Sequence, residues 1–146
     1  MKGQGDLRVC IRIGVLSLFA AGIVAAGSAR AQKGVDPSGL WITETGASKV
    51  RVAPCGGGFC GTLTSTSGPG LDANNPDPAL RGRKLVGVQI FSAGTASGEG
   101  FEGNLYNPQD GKTYSGTITP KGPNSLEVAG CVMRVLCKRQ TWRRAQ

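Results

Sequence analysis

Short runs of β-forming residues, separated by clusters of Gly, Pro, Asn and Asp, fill the sequence after residue 38. No long stretch there repeats its apolar residues at the 3.6-residue period of a helix. In several runs apolar and polar residues alternate, as in 49–52 and 126–129, which is typical of a strand with one buried face. Eight candidate strands result, at 39–44, 48–53, 59–65, 84–93, 99–107, 112–119, 125–132 and 136–144.

The segments between most of these runs are short and rich in turn-forming residues. Strands that follow one another in sequence are therefore expected to pair antiparallel, and eight of them predict a closed up-and-down barrel without free edges. Such a barrel is either filled by its own side chains or holds one small ligand. Gly103, Gly116 and Gly130 fall on the expected inner face, where they either open a cavity or allow a corner.

One connection, residues 66–83, is much longer than the others, and a long loop in a small domain is usually functional. Its acidic centre resembles a calcium loop in composition but lacks the mid-loop Gly and final Glu of an EF-hand. We expect instead Asx turns, an ion pair from Asp72 or Asp77 to Arg81, and a single helical turn at Pro78–Leu80.

The N-terminus has the composition of a secretory signal peptide, in which basic residues precede the apolar run 13–26 and the small-residue site 29–31. The apolar run is shorter than the roughly 20 residues that span a bilayer. The sequence therefore predicts a signal-peptide helix in residues 1–31 and an exported domain in residues 32–146. The exported part carries 13 basic and 8 acidic residues, a net charge of +5. That charge favours peripheral contact with anionic envelope lipids over nucleic acid.

Export places Cys55, Cys60, Cys131 and Cys137 in an oxidising compartment, where disulfides persist. Their spacing favours the two local pairs, Cys55–Cys60 and Cys131–Cys137, because cysteines facing each other across a hairpin meet the distance that a disulfide requires. A zinc site is the weaker alternative, since C-x4-C and C-x5-C lack the usual knuckle spacing. A thioredoxin-type centre would need C-x-x-C at the start of a helix.

The chain contains no histidine, which removes Ser-His-Asp and Cys-His catalysis together with every histidine-containing zinc site. A hydrolase built on two carboxylates would draw on a small set of acids, in which no spacing singles out a pair. We therefore expect no enzymatic activity, no metal and no cofactor. The acids concerned are Asp72, Asp77, Glu99, Glu102 and Asp110.

Four successive blocks of the sequence closely resemble the DUF2147 family of exported bacterial proteins, over about 39–144. The blocks are "GLWITETGASKVRVAPCGGGFCGTL", "NNPDPALRGRKLVGVQI", "EGNLYNPQDGKTYSGTI" and "CKRQTWRR". The resemblance implies a lipocalin-like (calycin) barrel in the periplasm, without an agreed activity. Calycin barrels open with Gly-x-Trp, on which an Arg of the last strand packs. Here Gly39 and Trp41 match the first part, and Arg143 or Arg144 the second.

Two functions are compatible with this barrel. In the first, it binds a small hydrophobic ligand such as a fatty acid or lipid fragment, with the long connection as a flap at the mouth. In the second, the barrel is filled and acts as an interaction or scaffold module of the cell envelope, through Arg81, Arg83, Lys84, Lys138 and Arg139. The candidate ligand-binding residues of the first are Gln89, Phe91, Phe101, Leu105, Tyr114 and Ile118.

Overall fold

Eight strands and one turn of 3-10 helix make up the part of the chain that the computed structural model describes, residues 35–146. Each strand pairs antiparallel with the next in sequence, and β1 also pairs with β8, so that the sheet closes into a barrel. The predicted signal peptide, residues 1–31, and its helix lie outside the described residues. The strands are β1 Gly39–Ile42, β2 Ser48–Cys55, β3 Gly58–Thr66, β4 Gln89–Ser97, β5 Gly100–Asn107, β6 Lys112–Pro120, β7 Ser125–Val132 and β8 Leu136–Arg144.

The up-and-down order gives the barrel two different ends. At one, here called the closed end, lie the β2–β3, β4–β5 and β6–β7 turns together with the start of β1 and the end of β8. At the other, the open end, lie the β1–β2, β5–β6 and β7–β8 turns and the long connection, residues 67–88. The 3-10 turn Pro78–Leu80 lies in the long connection, where the sequence predicts it.

The core occupies the half of the barrel nearer the closed end. Trp41, Val50, Ile118 and Leu126 are at most 1% exposed. They alternate along their strands with exposed or partly exposed residues, as the period-2 pattern requires. Burying an apolar side chain of this size contributes about 1.5–3 kcal/mol, so each of these residues stabilises the barrel.

The strand boundaries confirm the predicted eight strands, with a difference at β4. Residues 84–88 belong to the long connection, and β4 continues instead to Ser97. The apolar residues responsible for the difference, Leu85 and Val88, are buried as part of the loop that covers the core. Gly87 lies between them with φ of +94°, a conformation that interrupts an extended strand and favours glycine.

Both local disulfides are present, which confirms the predicted pairing. Cys131 and Cys137 face each other in the β7–β8 register, with Cα atoms 3.9 Å apart. Cys55 and Cys60 close the β2–β3 hairpin, with Cα atoms 5.7 Å apart. One disulfide therefore restrains a hairpin at each end of the barrel.

Candidate ligand cavity

A cavity of about 910 Å³ occupies the interior at the open end. Its floor consists of apolar side chains that stand on the core, and its mouth is bounded by the open-end connections. The barrel is thus filled in one half and hollow in the other. The apolar floor and lower wall comprise Leu63, Leu85, Ile90, Leu105, Val128 and Trp142.

The last two strands supply one continuous wall of this cavity. Every second residue of β8 lines it, from Leu136 at the mouth through Lys138 and Gln140 to Trp142 at the floor. On β7 the same alternation places Val128, Gly130 and Val132 in the wall. At the floor, Trp142 packs against Phe91 with ring centroids 6.3 Å apart, and its indole N–H donates to Gln140 Oε1 at 3.2 Å.

Gly103, Gly116 and Gly130, the three glycines of the inner face, differ in whether a side chain would fit at their position. A Cβ on Gly130 would lie 3.6 Å from Leu105 Cδ1 and 3.8 Å from Tyr114 Cβ, both ordinary contact distances. A larger side chain there would extend into the cavity, so Gly130 keeps the wall open. A Cβ on Gly116 would collide with Leu105, and one on Gly103 with the backbone of β4. These two glycines allow close packing instead.

The long connection is fixed across one side of the mouth by a buried carboxylate. The side chain of Asp72 is fully buried, and Arg83 contacts its Oδ2 through both Nε and Nη2 at 2.8 Å. Asn75 Nδ2 donates to the same oxygen at 2.8 Å, and the Tyr106 hydroxyl donates to Oδ1. Since Tyr106 belongs to β5, this cluster ties the loop to the barrel wall.

The electrostatics of this cluster favour an ionised Asp72. Burial opposes the charge, but hydrogen bonds from Tyr106, Asn75 and Arg83 outweigh it and hold the pKa of Asp72 below its usual value. Burial and the neighbouring carboxylate both raise the pKa of Tyr106, so its hydroxyl remains a donor. Buried polar groups that are satisfied in this way stabilise a single arrangement of the loop.

A second set of contacts joins the long connection to the β5–β6 turn. Asn74 Nδ2 donates to Gln109 O at 2.9 Å, and the backbone of Asn74 lies against Gly111 so closely that a Cβ would not fit. The predicted ion pair to Arg81 is wrong, because Asp72 pairs with Arg83, while Arg81 Nε donates to Asn75 O at 2.8 Å. The sequence contains both arginines, and spacing alone does not distinguish them.

Two charged side chains line the cavity, Asp110 and Lys138, and both lie near the mouth. The Tyr114 hydroxyl donates to Asp110 Oδ2 at 2.5 Å, and this bond lowers the pKa of Asp110 and raises that of Tyr114. Lys138 makes neither of the two ion pairs found in the described part of the chain. The mouth therefore carries one cation, Lys138, and one carboxylate that is bonded to Tyr114, above an apolar floor.

The structure separates the six side chains proposed from sequence as ligand-binding. Leu105 and Tyr114 line the cavity. Phe91 and Ile118 are buried beneath it, beside a crevice too small for a water molecule. Gln89 is exposed, and Phe101 packs edge-on against Phe59 at 4.8 Å in the closed-end half. The last four are not among the residues that line the cavity.

The basic residues proposed as an interaction surface are partly engaged within the chain. Arg83 is held by Asp72, and Arg139 Nε lies 3.8 Å from Glu127 Oε1. Arg81 donates to a backbone carbonyl of its own loop. Lys84 and Lys138 are exposed.

The closed end is sealed by Trp41 and Arg144. The Arg144 guanidinium lies 4.3 Å from the centroid of the Trp41 ring, and its Nη1 donates to Ser38 O at 2.9 Å. Gly39 leaves the room that the guanidinium needs, since a Cβ there would collide with it. Arg143 points outward on β8 and is exposed. Of the two arginines considered from sequence, Arg144 is the one that packs on the tryptophan.

Among residues 35–146, no helix is long and apolar enough to cross a membrane. In the same range no three Cys, Asp or Glu side chains are grouped so that they could hold a metal ion.

An eight-stranded up-and-down barrel, closed at one end by an Arg on a Trp and hollow at the other, defines a lipocalin-like protein. The chain is similar to HP1028 of the human pathogen Helicobacter pylori, a solved structure described as belonging to the lipocalin family. The identity is 26% and the TM-score 0.68, over 77% of this chain and 84% of that one. A search of curated proteins gave no match.

The chain belongs to DUF2147, a family described as uncharacterized proteins conserved in bacteria, whose model matches residues 39–144. The match covers all eight strands, from the start of β1 to the end of β8. Family and fold thus agree with the resemblance found in the sequence, and neither assigns an activity.

Several cavity residues were missed from sequence although β8 contained a signal for them. In "LCKRQTWRR", the alternate residues Leu136, Lys138, Gln140 and Trp142 form one face. The mixture of apolar and polar residues on that face is typical of a cavity wall that runs from a buried floor to a solvent-exposed mouth. The position of Leu63 and Ile90 at the floor depends on irregularities in β3 and β4 pairing, which alternation does not reveal.

Proposed function

We propose that this protein binds a small hydrophobic ligand with an acidic head group, of the fatty acid or lipid-fragment class, in the cavity at the open end. The observation that carries the proposal is the 910 Å³ cavity with its apolar floor. Ligand pockets typically measure about 300–1,000 Å³ and combine an apolar lining with a few placed polar groups. The lipocalin-family neighbour supports a ligand-binding barrel in general terms.

The lining gives the ligand an orientation. The apolar part would lie on Leu63, Val128 and Trp142, where it removes apolar surface from water. The acidic group would lie at the mouth beside Lys138, where the ammonium stays hydrated and the carboxylate need not be buried. The reverse orientation would bury a carboxylate against apolar side chains without a cation.

The filled-barrel alternative has less support. The open-end half is hollow, and three of the five basic residues assigned to its interaction surface make contacts within the chain. An interaction module would not need the interior volume.

Export and the absence of catalysis remain part of the proposal. Residues 1–31 have the composition of a signal peptide, and two disulfides fit an oxidising compartment such as the periplasm. The chain has no histidine to act as a general base. Protein expressed from Met1 is expected in the periplasmic fraction with the intact mass of a chain that begins at Gln32, and a retained leader in the cytoplasm would contradict this.

The ligand proposal is tested by filling the cavity from its wall. Gly130→Leu is expected to weaken the binding of a fluorescent long-chain fatty acid at least tenfold, because the new side chain extends into the cavity beside Leu105 and Tyr114. Binding is measured by fluorescence titration of the processed protein, and thermal unfolding verifies that the variant is folded.

Gly94→Leu is the matched control. Gly94 lies on β4, is exposed, and a Cβ there would meet nothing within 4 Å. The control should bind the fatty acid like the parent protein. Equal binding by the parent, the control and Gly130→Leu would place the ligand outside the cavity and overturn the proposal, as would the absence of fatty acid binding by the parent.

A further inference from the structure

The β7–β8 hairpin carries the most exposed apolar side chains among those described. Met133 is 90% exposed, Val135 79% and Leu136 74%, and Val132 is 48% exposed. They occupy five consecutive positions with Arg134 in the middle. Apolar residues scattered singly on a surface are ordinary, but a contiguous apolar tip usually marks an interaction site.

The turn at this tip has a backbone conformation that is unfavourable for Met133 and Arg134. Three residues, 133–135, connect the paired residues Val132 and Leu136. Met133 and Arg134 have φ of 53° and 59°, and Val135 N donates to Val132 O, so that 132–135 form a tight β-turn with positive φ at both central residues. Such turns favour Asn-Gly, since a side chain is disfavoured at positive φ. The Cys131–Cys137 disulfide lies directly below and holds the two strands together. Strain of this kind is found at functional sites, where the surrounding structure maintains it.

The charged residues of the hairpin itself, from residue 128 onward, have one sign. From residue 128 to residue 146 the sequence contains five arginines and lysines and no acid. Three of them, Arg134, Lys138 and Arg139, lie on the hairpin or just below it, and the Arg139 Nε lies 3.8 Å from Glu127 Oε1. An apolar tip surrounded by cations is complementary to an anionic bilayer, in which apolar side chains insert and basic ones meet the lipid head groups.

The tip also borders the cavity. Val132 and Leu136 are exposed and line the cavity at the same time, and so does Leu71 of the long connection. The mouth and the apolar tip therefore face the same side of the barrel. A surface that binds the hairpin would lie against the mouth.

We propose that the hairpin tip, Val132–Leu136, inserts into the head-group region of an anionic phospholipid bilayer and places the cavity mouth against it. An apolar ligand would then pass between bilayer and cavity without crossing water. This use of the docked state depends on the proposed ligand binding, whereas the docking itself depends only on the hairpin.

The experiment measures partition of the processed protein, with its N-terminus verified by intact mass, onto vesicles of phosphatidylcholine with and without 30% phosphatidylglycerol. The parent is expected to bind the anionic vesicles at least tenfold more strongly than the neutral ones. The double variant Met133→Asp with Val135→Asp should lose at least tenfold in binding, because it removes the inserting side chains and adds like charge. Arg134→Gln should lose about fivefold, the factor expected for one cation near an anionic surface.

Val35→Asp with Gly94→Asp is the matched control for two added charges, because both positions are exposed and Val35 precedes β1 at the closed end. It should bind the anionic vesicles within threefold of the parent. No binding by the parent, or equal losses in the hairpin and control variants, would overturn the docking proposal. Fatty acid binding in the absence of vesicles separates the docking proposal from the ligand proposal. If the parent binds fatty acid but not anionic vesicles, only the docking proposal is wrong. If it binds anionic vesicles but not fatty acid, the docking proposal stands and the ligand proposal is wrong.

Discussion

Asp72 fixes the long connection at the mouth of the cavity. It is fully buried on a long surface connection, and its partners come from the same loop and from β5. Its role was not predictable from the sequence, which offered two acids and two arginines at similar spacings. Only the fold brings Tyr106 of β5 to the carboxylate and so selects Asp72 over Asp77. Asp77 instead accepts a hydrogen bond from Ala79 N and caps the 3-10 turn.

The substitution Asp72→Asn tests this role through its pH dependence. It should lower the free energy of unfolding by about 2 kcal/mol at pH 7, below the usual 3–5 kcal/mol for a broken buried pair because Arg83 is 37% exposed. The pKa of Asp72 is lower in the folded chain than the value of about 3.9 expected when unfolded. The stabilisation is therefore complete above about pH 4 and is lost as the pH falls through the folded pKa.

Denaturant unfolding of parent and variant at a series of pH values provides the measurement. The difference between them should be constant near neutrality and shrink below pH 4. Asp77→Asn, which alters an exposed acid of the same loop, serves as the control and should show a smaller loss at pH 7. A difference that grows with acidification would contradict the assigned role.

The elements of this barrel were largely predictable, because each strand is short, alternates and ends at a turn cluster. The exception at β4 has a physical cause. The segment 84–88 has the composition of a strand, but its two buried residues, Leu85 and Val88, pack as part of the loop on either side of Gly87. Apolar composition indicates that a segment is buried, whether the segment is a strand or an ordered loop, and does not distinguish the two. Only two of the six proposed ligand residues line the cavity, because strand alternation does not tell which half of the barrel is hollow.

The two hairpin disulfides give a test at the level of elements. Replacing Cys131 and Cys137 with Ser, or Cys55 and Cys60 with Ser, should each cost about 2 kcal/mol, because the closed loops have nearly equal length. Thermal unfolding should show similar decreases in Tm for both. Only the removal of the Cys131–Cys137 disulfide should increase hydrogen exchange at residues 132–136, since that disulfide restrains the β7–β8 hairpin. Equal exchange in both variants would mean that the strands alone hold the tip.

At the largest scale described, residues 35–146, the barrel is asymmetric along its axis. A packed core and the Trp41–Arg144 contact seal the closed end, while the hollow half, the fixed loop and the apolar hairpin lie at the open end. Stability and the proposed binding are thus assigned to opposite halves. This separation could not be derived from alternation, which gives the same inner face to filled and hollow barrels. Gly130 illustrates the difficulty, since its environment distinguishes it from Gly103 and Gly116 only after folding.

The most direct test is a crystal structure of the processed protein grown with a saturating long-chain fatty acid. It should show the acyl chain in the open-end cavity, in contact with Leu63, Val128 and Trp142, and the carboxylate at the mouth near Lys138. A cavity closed by its own side chains, or fatty acid bound only on the outer surface of the barrel, would contradict the account.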